Sequence, residues 1–207
     1  MSGIIGKKLG MTRIFDETGQ RVVVTVLEAG PCYVTDIKTK EKHGYDAVQL
    51  GFDEKREKLT TKPLIGHFKK AGVKPLRVLK EFRPFRKDEP LKLGDEIKVD
   101  IFSKGDQVSV TGISKGRGFA GPIKRYGFRG GPKTHGQSDR HRAPGSIGQS
   151  SYPSRVIKGL KMAGRMGGKK VTVKNLEVIK VDTENNYLLV KGAVPGHIKN
   201  YVIIKKQ

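Results

Sequence analysis

The stretch that most limits how this chain can fold is residues 114–170, which we call the cationic segment. Its 57 residues contain 14 Lys and Arg, 13 Gly and a single acidic residue, Asp139. Only 7 of the 57 are Ile, Leu, Val or Phe, well below the roughly 20% under which high charge indicates disorder. The cationic segment therefore lacks the material for its own core, and we expect it to fold against a polyanion.

The other residues, 1–113 and 171–207, form what we call the body, which is long enough for one sizeable core. The body carries 28 basic and 19 acidic residues, so +9 of the total charge of +22 lies there. This basic balance indicates nucleic acid as the first candidate partner and an anionic membrane as the second. A membrane is disfavoured because the chain has no apolar run of about 18 residues.

The N-terminal sequence has neither the apolar stretch nor the small-residue cleavage site of a secretory signal. Cys32 is the only cysteine, so the chain has no disulfide framework and no cysteine-based metal site. These features predict a protein of the reducing cytoplasm.

Short strands separated by turn residues are predicted for most of the body. Residues 11–15 and 22–27 flank a turn at 16–19 and predict a β-hairpin. Further strands are predicted at residues 3–5, 32–39, 45–52, 75–82, 95–101, 107–111, 171–181, 187–190 and 200–205. This spacing indicates a mainly β body, either a small barrel or a sandwich.

Residues 55–74 do not follow the strand pattern. Leu64, Ile65, Phe68 and Ala71 lie at near-helical spacing, which predicts a short helix that packs outside the sheet and ends near Gly72. Residues 83–93 are charged and contain prolines, so we expect a loop. The predicted organisation is a body at 1–113 with a helical insertion at about 55–74, an extension at 114–170, and the rest of the body at 171–207.

The residue types of the cationic segment suit RNA. Basic side chains neutralise phosphates and release counterions, glycine lets backbone N–H groups approach phosphate oxygens, and aromatic rings stack on unpaired bases. The predicted phosphate contacts are Lys115, Arg117, Lys124, Arg125, Arg129, Lys133, Arg140, Arg142, Arg155, Lys158, Lys161, Arg165, Lys169 and Lys170. The polar candidates for close approach to RNA are His135, His141 and Gln149.

Patterns that suggest catalysis are weak in this chain. Residues 116–121 match G-x-G-x-x-G, but a dinucleotide site needs a strand before the glycines and a helix after them. Pro122 and its cationic neighbours predict no helix start there. His135, His141 and Asp139 lack the spacing of a zinc motif. We therefore predict no cofactor, no metal and no catalytic residue.

Several blocks of the sequence are similar to one protein family. They are GKKLGMTR (6–13), GHFKKAGV (66–73), VTGISKGRGFAG (110–121), THGQS (134–138), HRAPGSIGQ (141–149), KGLKMAG (158–164) and LVKGAVPG (189–196). In this order they resemble ribosomal protein L3 (uL3) of the large subunit, along essentially the whole chain. The length and the absence of extensions are similar to bacterial members.

The resemblance implies a mainly β fold: a six-stranded β-barrel of the type found in translation proteins, with a small helical insertion and a long, mostly irregular basic extension. It implies that the body binds near the 3′ end of 23S rRNA and that the extension reaches toward the peptidyl transferase centre. Ribosomal proteins L14 and L19 are the implied neighbours. Some bacterial members are methylated at the position that matches Gln149, which implies N5-methylglutamine there and a glutamine methyltransferase as a partner.

We therefore expect a structural rRNA-binding protein that acts early in assembly of the large subunit and supports the RNA around the peptidyl transferase centre. Two alternatives stay open from the residues alone. An architectural nucleic-acid-binding protein outside the ribosome would bind duplex DNA and structured rRNA with comparable affinity. An rRNA-modifying enzyme would need a cofactor pocket.

Limited digestion with trypsin tests the expected difference between the two parts of the chain. We predict that the free protein is cut first between Lys115 and Lys170. That stretch lacks the apolar residues whose burial protects a backbone from local unfolding. The measurement is the order in which fragments appear by mass spectrometry. Equal protection along the whole chain would contradict the expectation.

Overall fold

The computed structural model of the protein describes residues 3–16, 18–83 and 91–207. The strands are β1 (Gly3–Phe15), β2 (Arg21–Ala29), β3 (Cys32–Lys38), β4 (Ala47–Glu54), β5 (Leu76–Phe82), β6 (Glu96–Ile97), β7 (Gln107–Ile113), β8 (Phe119–Ala120), β9 (Gly164–Arg165), β10 (Lys170–Asp182), β11 (Tyr187–Lys191) and β12 (Tyr201–Lys206). The helices are α1 (Lys40–His43), α2 (Lys62–Ala71) and α3 (Pro122–Tyr126), and two 3₁₀ turns cover Glu57–Leu59 and Val99–Ile101.

Six strands close into an antiparallel barrel in the order β1-β12-β7-β10-β11-β2. The C-terminal strand β12 lies between β1 and β7, so the two ends of the chain pair directly, with Ile4 opposite Ile204. The predicted hairpin is confirmed as β1 and β2, although β1 is one continuous strand with a register shift between Lys8 and Gly10. The expectation of a mainly β protein built on a six-stranded barrel is confirmed.

The barrel is filled by apolar side chains that alternate along the strands. Val108 and Val110 of β7 and Val202 and Ile204 of β12 are at most 1% exposed. Residues two apart on a strand share a face, so each of these pairs points to the same side of the sheet. β-Branched side chains favour extended backbone and pack well on a pleated surface, which explains why these sequences form barrel strands.

A second sheet has the strand order β5-β4-β3-β6. Its strand β4 buries Val48, Leu50 and Phe52, which alternate along the strand and therefore share one face. The helix predicted within residues 55–74 is confirmed as α2, which ends at Gly72 and buries Phe68 and Ala71.

Polar contacts also hold α2 near this sheet. The His67 Nε2 atom lies 2.9 Å from Gln49 Oε1, and the Thr35 hydroxyl donates to the same oxygen at 2.9 Å. An amide oxygen has two lone pairs and accepts both bonds. This part-buried amide therefore joins β3, β4 and α2.

The strand predicted at residues 95–101 is wrong beyond its first residues. Only Glu96–Ile97 is a strand, and Val99–Ile101 forms a 3₁₀ turn in which the Phe102 N–H donates to the Val99 carbonyl. Side chains three apart eclipse in a 3₁₀ turn but point to opposite faces of a strand. The turn thereby buries both Val99 and Phe102, at 0% and 3% exposure. Most of the loop predicted at 83–93 lies outside the described residues.

Backbone contacts divide the chain into two compact units. One comprises the described residues up to Ser114 together with Lys170–Gln207, and the other is Lys115–Lys169. The barrel, the second sheet and α2 belong to the first unit. Strands β8 and β9 and helix α3 belong to the second.

Two glycines of β1 give a matched test of how tightly the barrel is packed. A Cβ at Gly6 would lie 2.7 Å from the Glu28 carbonyl oxygen, whereas a Cβ at Gly10 would meet nothing within 4 Å. We predict that Gly6→Ala lowers the free energy of unfolding by about 1–3 kcal/mol, because the contacting atom is backbone and must shift. Gly10→Ala should change it by less than about 0.5 kcal/mol.

Urea denaturation followed by far-ultraviolet circular dichroism measures both variants. The expected result is a lower midpoint for Gly6→Ala with an unchanged slope, which marks lost stability rather than a changed unfolded state. Equal midpoints for the two variants would show that β1 and β2 have room to separate.

Candidate nucleic-acid interface

A short antiparallel ladder between β8 and β9, which we call the β8–β9 ladder, pairs the two ends of the unit Lys115–Lys169. Phe119 of β8 lies opposite Arg165 of β9, and Ala120 lies opposite Gly164. The pairing continues through two backbone hydrogen bonds of 2.9 Å, from the Arg117 N–H to the Met166 carbonyl and from the Met166 N–H to the Gly118 carbonyl. The ends of the unit are therefore joined by backbone bonds.

Helix α3 follows β8 directly, which corrects the expectation that Pro122 prevents a helix start. Pro122 occupies the first turn, where the missing N–H has no partner to lose and the fixed φ suits a helix. The helix lasts five residues and ends at Gly127, whose N–H donates to the Ile123 carbonyl at 2.9 Å. The surroundings still differ from a dinucleotide site, since β8 pairs antiparallel with β9 and does not enter a βαβ unit.

Arg125 is placed differently from the other predicted phosphate contacts. It is half-buried, its Nη1 donates to the Met162 carbonyl at 2.7 Å, and its guanidinium carbon lies 4.9 Å from the centroid of the Tyr126 ring. Lys161 approaches the same ring with its Nζ at 5.9 Å. Arg125 thus ties α3 to the chain that leads into β9, and its role as a phosphate contact stays a prediction.

The other cations face outward. Of the 17 residues predicted to contact RNA, only Arg125 and His141 are half-buried. The exposed ones are Lys115, Arg117, Lys124, Arg129, Lys133, His135, Arg140, Arg142, Gln149, Arg155, Lys158, Lys161, Arg165, Lys169 and Lys170. Lys170 is the first residue of β10 and the other 16 lie in the unit Lys115–Lys169. With Asp139 as its only carboxylate, this unit cannot neutralise its own charge.

His141 is held in a turn that the sequence analysis missed. Its Nδ1 lies 2.8 Å from the Pro132 carbonyl oxygen, so Nδ1 carries the donated proton and Nε2 stays available to an outside group. The Gly131 N–H donates to the His141 carbonyl at 3.0 Å. A Cβ at Gly130 would lie 2.5 Å from that carbonyl oxygen, so only glycine permits this close approach. The adjacent glycines Gly130 and Gly131 were the feature of the sequence that could have indicated this turn.

Gln149 is exposed in a stretch without regular structure. Three residues earlier, the Ser146 hydroxyl donates to the Gly148 carbonyl at 2.7 Å. Between α3 and β9 the chain contains turns but neither helix nor strand, and all of these residues are described. This agrees with the expectation of a mostly irregular extension.

The described residues offer little other chemistry. In the part of the chain that the structure describes, no group of three or more His, Cys, Asp or Glu side chains is placed to hold a metal. Burial raises the pKa of the Cys32 thiol to about 12, so the thiol is protonated and inert at neutral pH. None of the helices within the described residues has the length and apolar character needed to cross a membrane.

Known proteins match this chain along nearly its whole length. The sequence model described as Ribosomal protein L3 matches residues 92–186. "Large ribosomal subunit protein uL3" of Chloroherpeton thalassium is 55% identical over 204 residues, which cover 99% of this chain and 98% of that protein. The protein of the same name from Herpetosiphon aurantiacus is 54% identical, covering 100% and 96%. That from Chlorobium limicola is 52% identical, covering 99% and 98%.

The internal position of Arg125 predicts a local effect that its neighbour on α3 does not share. We expect Arg125→Gln to increase the population in which the β8–β9 ladder is open about fivefold. The substitution removes a charged donor worth roughly 1 kcal/mol at a half-exposed site. Lys124→Gln, at an exposed position, should leave opening unchanged. Amide hydrogen exchange of Arg117 and Met166 measures both effects, and equal exchange in the two variants would contradict this assignment.

Proposed function

Because these relatives are more than half identical along almost the whole chain, the protein belongs to the ribosomal protein L3 (uL3) family, and we propose that it is a structural component of the large ribosomal subunit that binds 23S rRNA. Its place is the subunit in the cytoplasm, and its role is structural rather than enzymatic. Binding near the 3′ end of 23S rRNA, action early in subunit assembly and support of the peptidyl transferase centre are the finer parts of the proposal.

The observation that carries the proposal is the set of outward-facing cations with one carboxylate among them. Thirteen of the fourteen basic residues between Lys115 and Lys170 are exposed. Like charges at this density repel one another, and a polyanion removes the repulsion while counterions are released. RNA supplies closely spaced phosphates on several sides at once, which suits cations that follow an irregular path.

The proposed mechanism is positioning. The exposed Lys and Arg side chains bind phosphates, and the Nε2 of His141 accepts a hydrogen bond from a 2′-hydroxyl. Arg125 acts inside the protein and holds α3 in place. RNA strands that would otherwise repel one another are thereby kept in a single arrangement.

The partners proposed beside the RNA are ribosomal proteins L14 and L19 and a glutamine methyltransferase that modifies Gln149. For the modification, the support is that the Gln149 side chain is exposed, as an enzyme requires. The neighbours L14 and L19 are proposed from membership of the family.

Salt dependence of binding tests the phosphate contacts. Replacing Arg140, Arg142 and Lys158 by Gln should reduce the slope of log affinity for 23S rRNA against log salt by about 2–3, since each phosphate contact contributes about 0.7–0.9. The matched control replaces Lys58, Lys62 and Lys69, three exposed lysines of the body to which no RNA contact is assigned, and should reduce the slope by clearly less. The measurement is filter binding over a range of salt concentrations.

The same titration separates the proposal from an architectural protein outside the ribosome. Wild-type protein should prefer 23S rRNA to duplex DNA of equal length at matched salt. Equal affinity for the two would support the architectural alternative, and an equal loss of slope in both variants would remove the assignment of the RNA contacts to the cationic segment.

A further inference from the structure

The aromatic rings of the cationic segment are not equally available. Tyr126 and Phe128 pack on each other with ring centroids 6.3 Å apart, and Tyr126 is also flanked by the cationic ends of Arg125 and Lys161. Phe119 and Tyr152 are 81% and 86% exposed. These two rings offer more free surface to a partner than Tyr126, which is 39% exposed.

Phe119 differs from Tyr152 because paired backbone presents it. Phe119 lies in β8, opposite Arg165, while Tyr152 lies in a turn. The next residue, Ala120, is 4% exposed, and helix α3 starts two residues later. A side chain on a paired strand loses less conformational freedom on binding than one on a turn, which favours affinity.

One cationic residue, Arg165, lies directly opposite Phe119 on the paired strand. Directly opposed residues on antiparallel strands put their side chains on the same face, with Cβ atoms about 4.5–5.5 Å apart. Arg165 is therefore the immediate neighbour of Phe119. The Arg165 guanidinium lies next to Gly168: a Cβ built on Gly168 would be 3.2 Å from the Arg165 Nη2 atom. An apolar partner surface is disfavoured beside this charge, but a flat, polar-edged ring attached to a phosphate suits both groups.

We propose that Phe119 is a stacking platform for one unpaired nucleobase, with Arg165 binding the phosphate or base edge beside it. The proposal rests on the proposed function, since it assigns a base contact within the same RNA-binding surface. It identifies the ligand as single-stranded RNA rather than a helix, because the face of a paired base is covered by its neighbours in the stack.

The absence of tryptophan from the chain provides a direct probe. Phe119→Trp puts the only indole at the platform, and its fluorescence should be quenched by single-stranded oligoadenylate. An abasic oligonucleotide of the same length keeps the phosphates and should leave the emission unchanged. The matched control is Phe15→Trp, which places an indole at another exposed position, at 70% exposure on the barrel hairpin. Its emission should not respond to either oligomer.

A second variant measures affinity. Phe119→Leu keeps an apolar side chain but removes the flat ring, and we expect binding of oligoadenylate to weaken about tenfold, within the range for loss of one stacked base. The slope against log salt should stay as in the wild type, because no phosphate contact is removed. Binding of the abasic oligomer should not change. Since Phe119 is largely exposed, neither variant should alter the thermal unfolding midpoint.

The outcomes separate this inference from the proposed function. If wild-type protein binds 23S rRNA with the expected salt slope but Phe119→Leu binds oligoadenylate equally well, the stacking platform is wrong and the proposed function stands. Quenching of the Phe119→Trp variant by the abasic oligomer would also overturn the platform. If the wild type binds none of these RNAs, the proposed function and the platform both fail.

Discussion

The antiparallel ladder between β7 and β10 is the interaction on which the arrangement of this protein depends. It closes the barrel on one side and brings Ile113 opposite Lys170, which flank the inserted unit in the sequence. The Thr111 and Thr172 hydroxyls add a bond of 2.8 Å across the ladder. The entropic cost of closing a loop grows by only about 0.6 kcal/mol for each doubling of its length. A long insertion is therefore compatible with a stable barrel, provided that the strands at its ends are paired.

The two parts of the chain handle charge in different ways. In the body, basic residues meet carboxylates, as where Lys206 lies 2.6 Å from Asp106 and Lys38 lies 2.7 Å from Glu81. The Lys206 ammonium holds the pKa of Asp106 below its ordinary value, and Lys38 does the same for Glu81. The unit Lys115–Lys169 has only Asp139 for this purpose. Most of its charge is consequently available to a partner, although Arg125 is used within the fold.

The parts of the fold that local sequence determines were predictable. Runs of β-branched residues predicted β2 and β12. The spacing of Phe68 and Ala71 before Gly72 predicted α2. The two failures have different causes, one local and one between distant residues. The 3₁₀ turn at Val99–Ile101 follows from burying Val99 and Phe102 together, whereas the sequence analysis predicted a strand there. At Arg125 the charge was visible in the sequence, but its acceptor, the Met162 carbonyl, lies 37 positions further on.

The inserted unit also qualifies the expectation that the cationic segment takes its whole shape from a polyanion. The protein itself specifies three local structures: the β8–β9 ladder, α3 and the close contact of Gly130 with the His141 carbonyl. They are held by backbone hydrogen bonds, which need little apolar surface. The residues between the turn at His141 and β9 have no such ladder. Ordering a residue costs roughly 1–2 kcal/mol, so RNA contacts are most effective where the backbone is already fixed. Phe119 and Arg165 occupy such positions, and the cations between Arg142 and Lys158 do not. The two groups should therefore differ in function. The β8–β9 ladder should select a local RNA structure, and the irregular stretch should adapt to the phosphates around it.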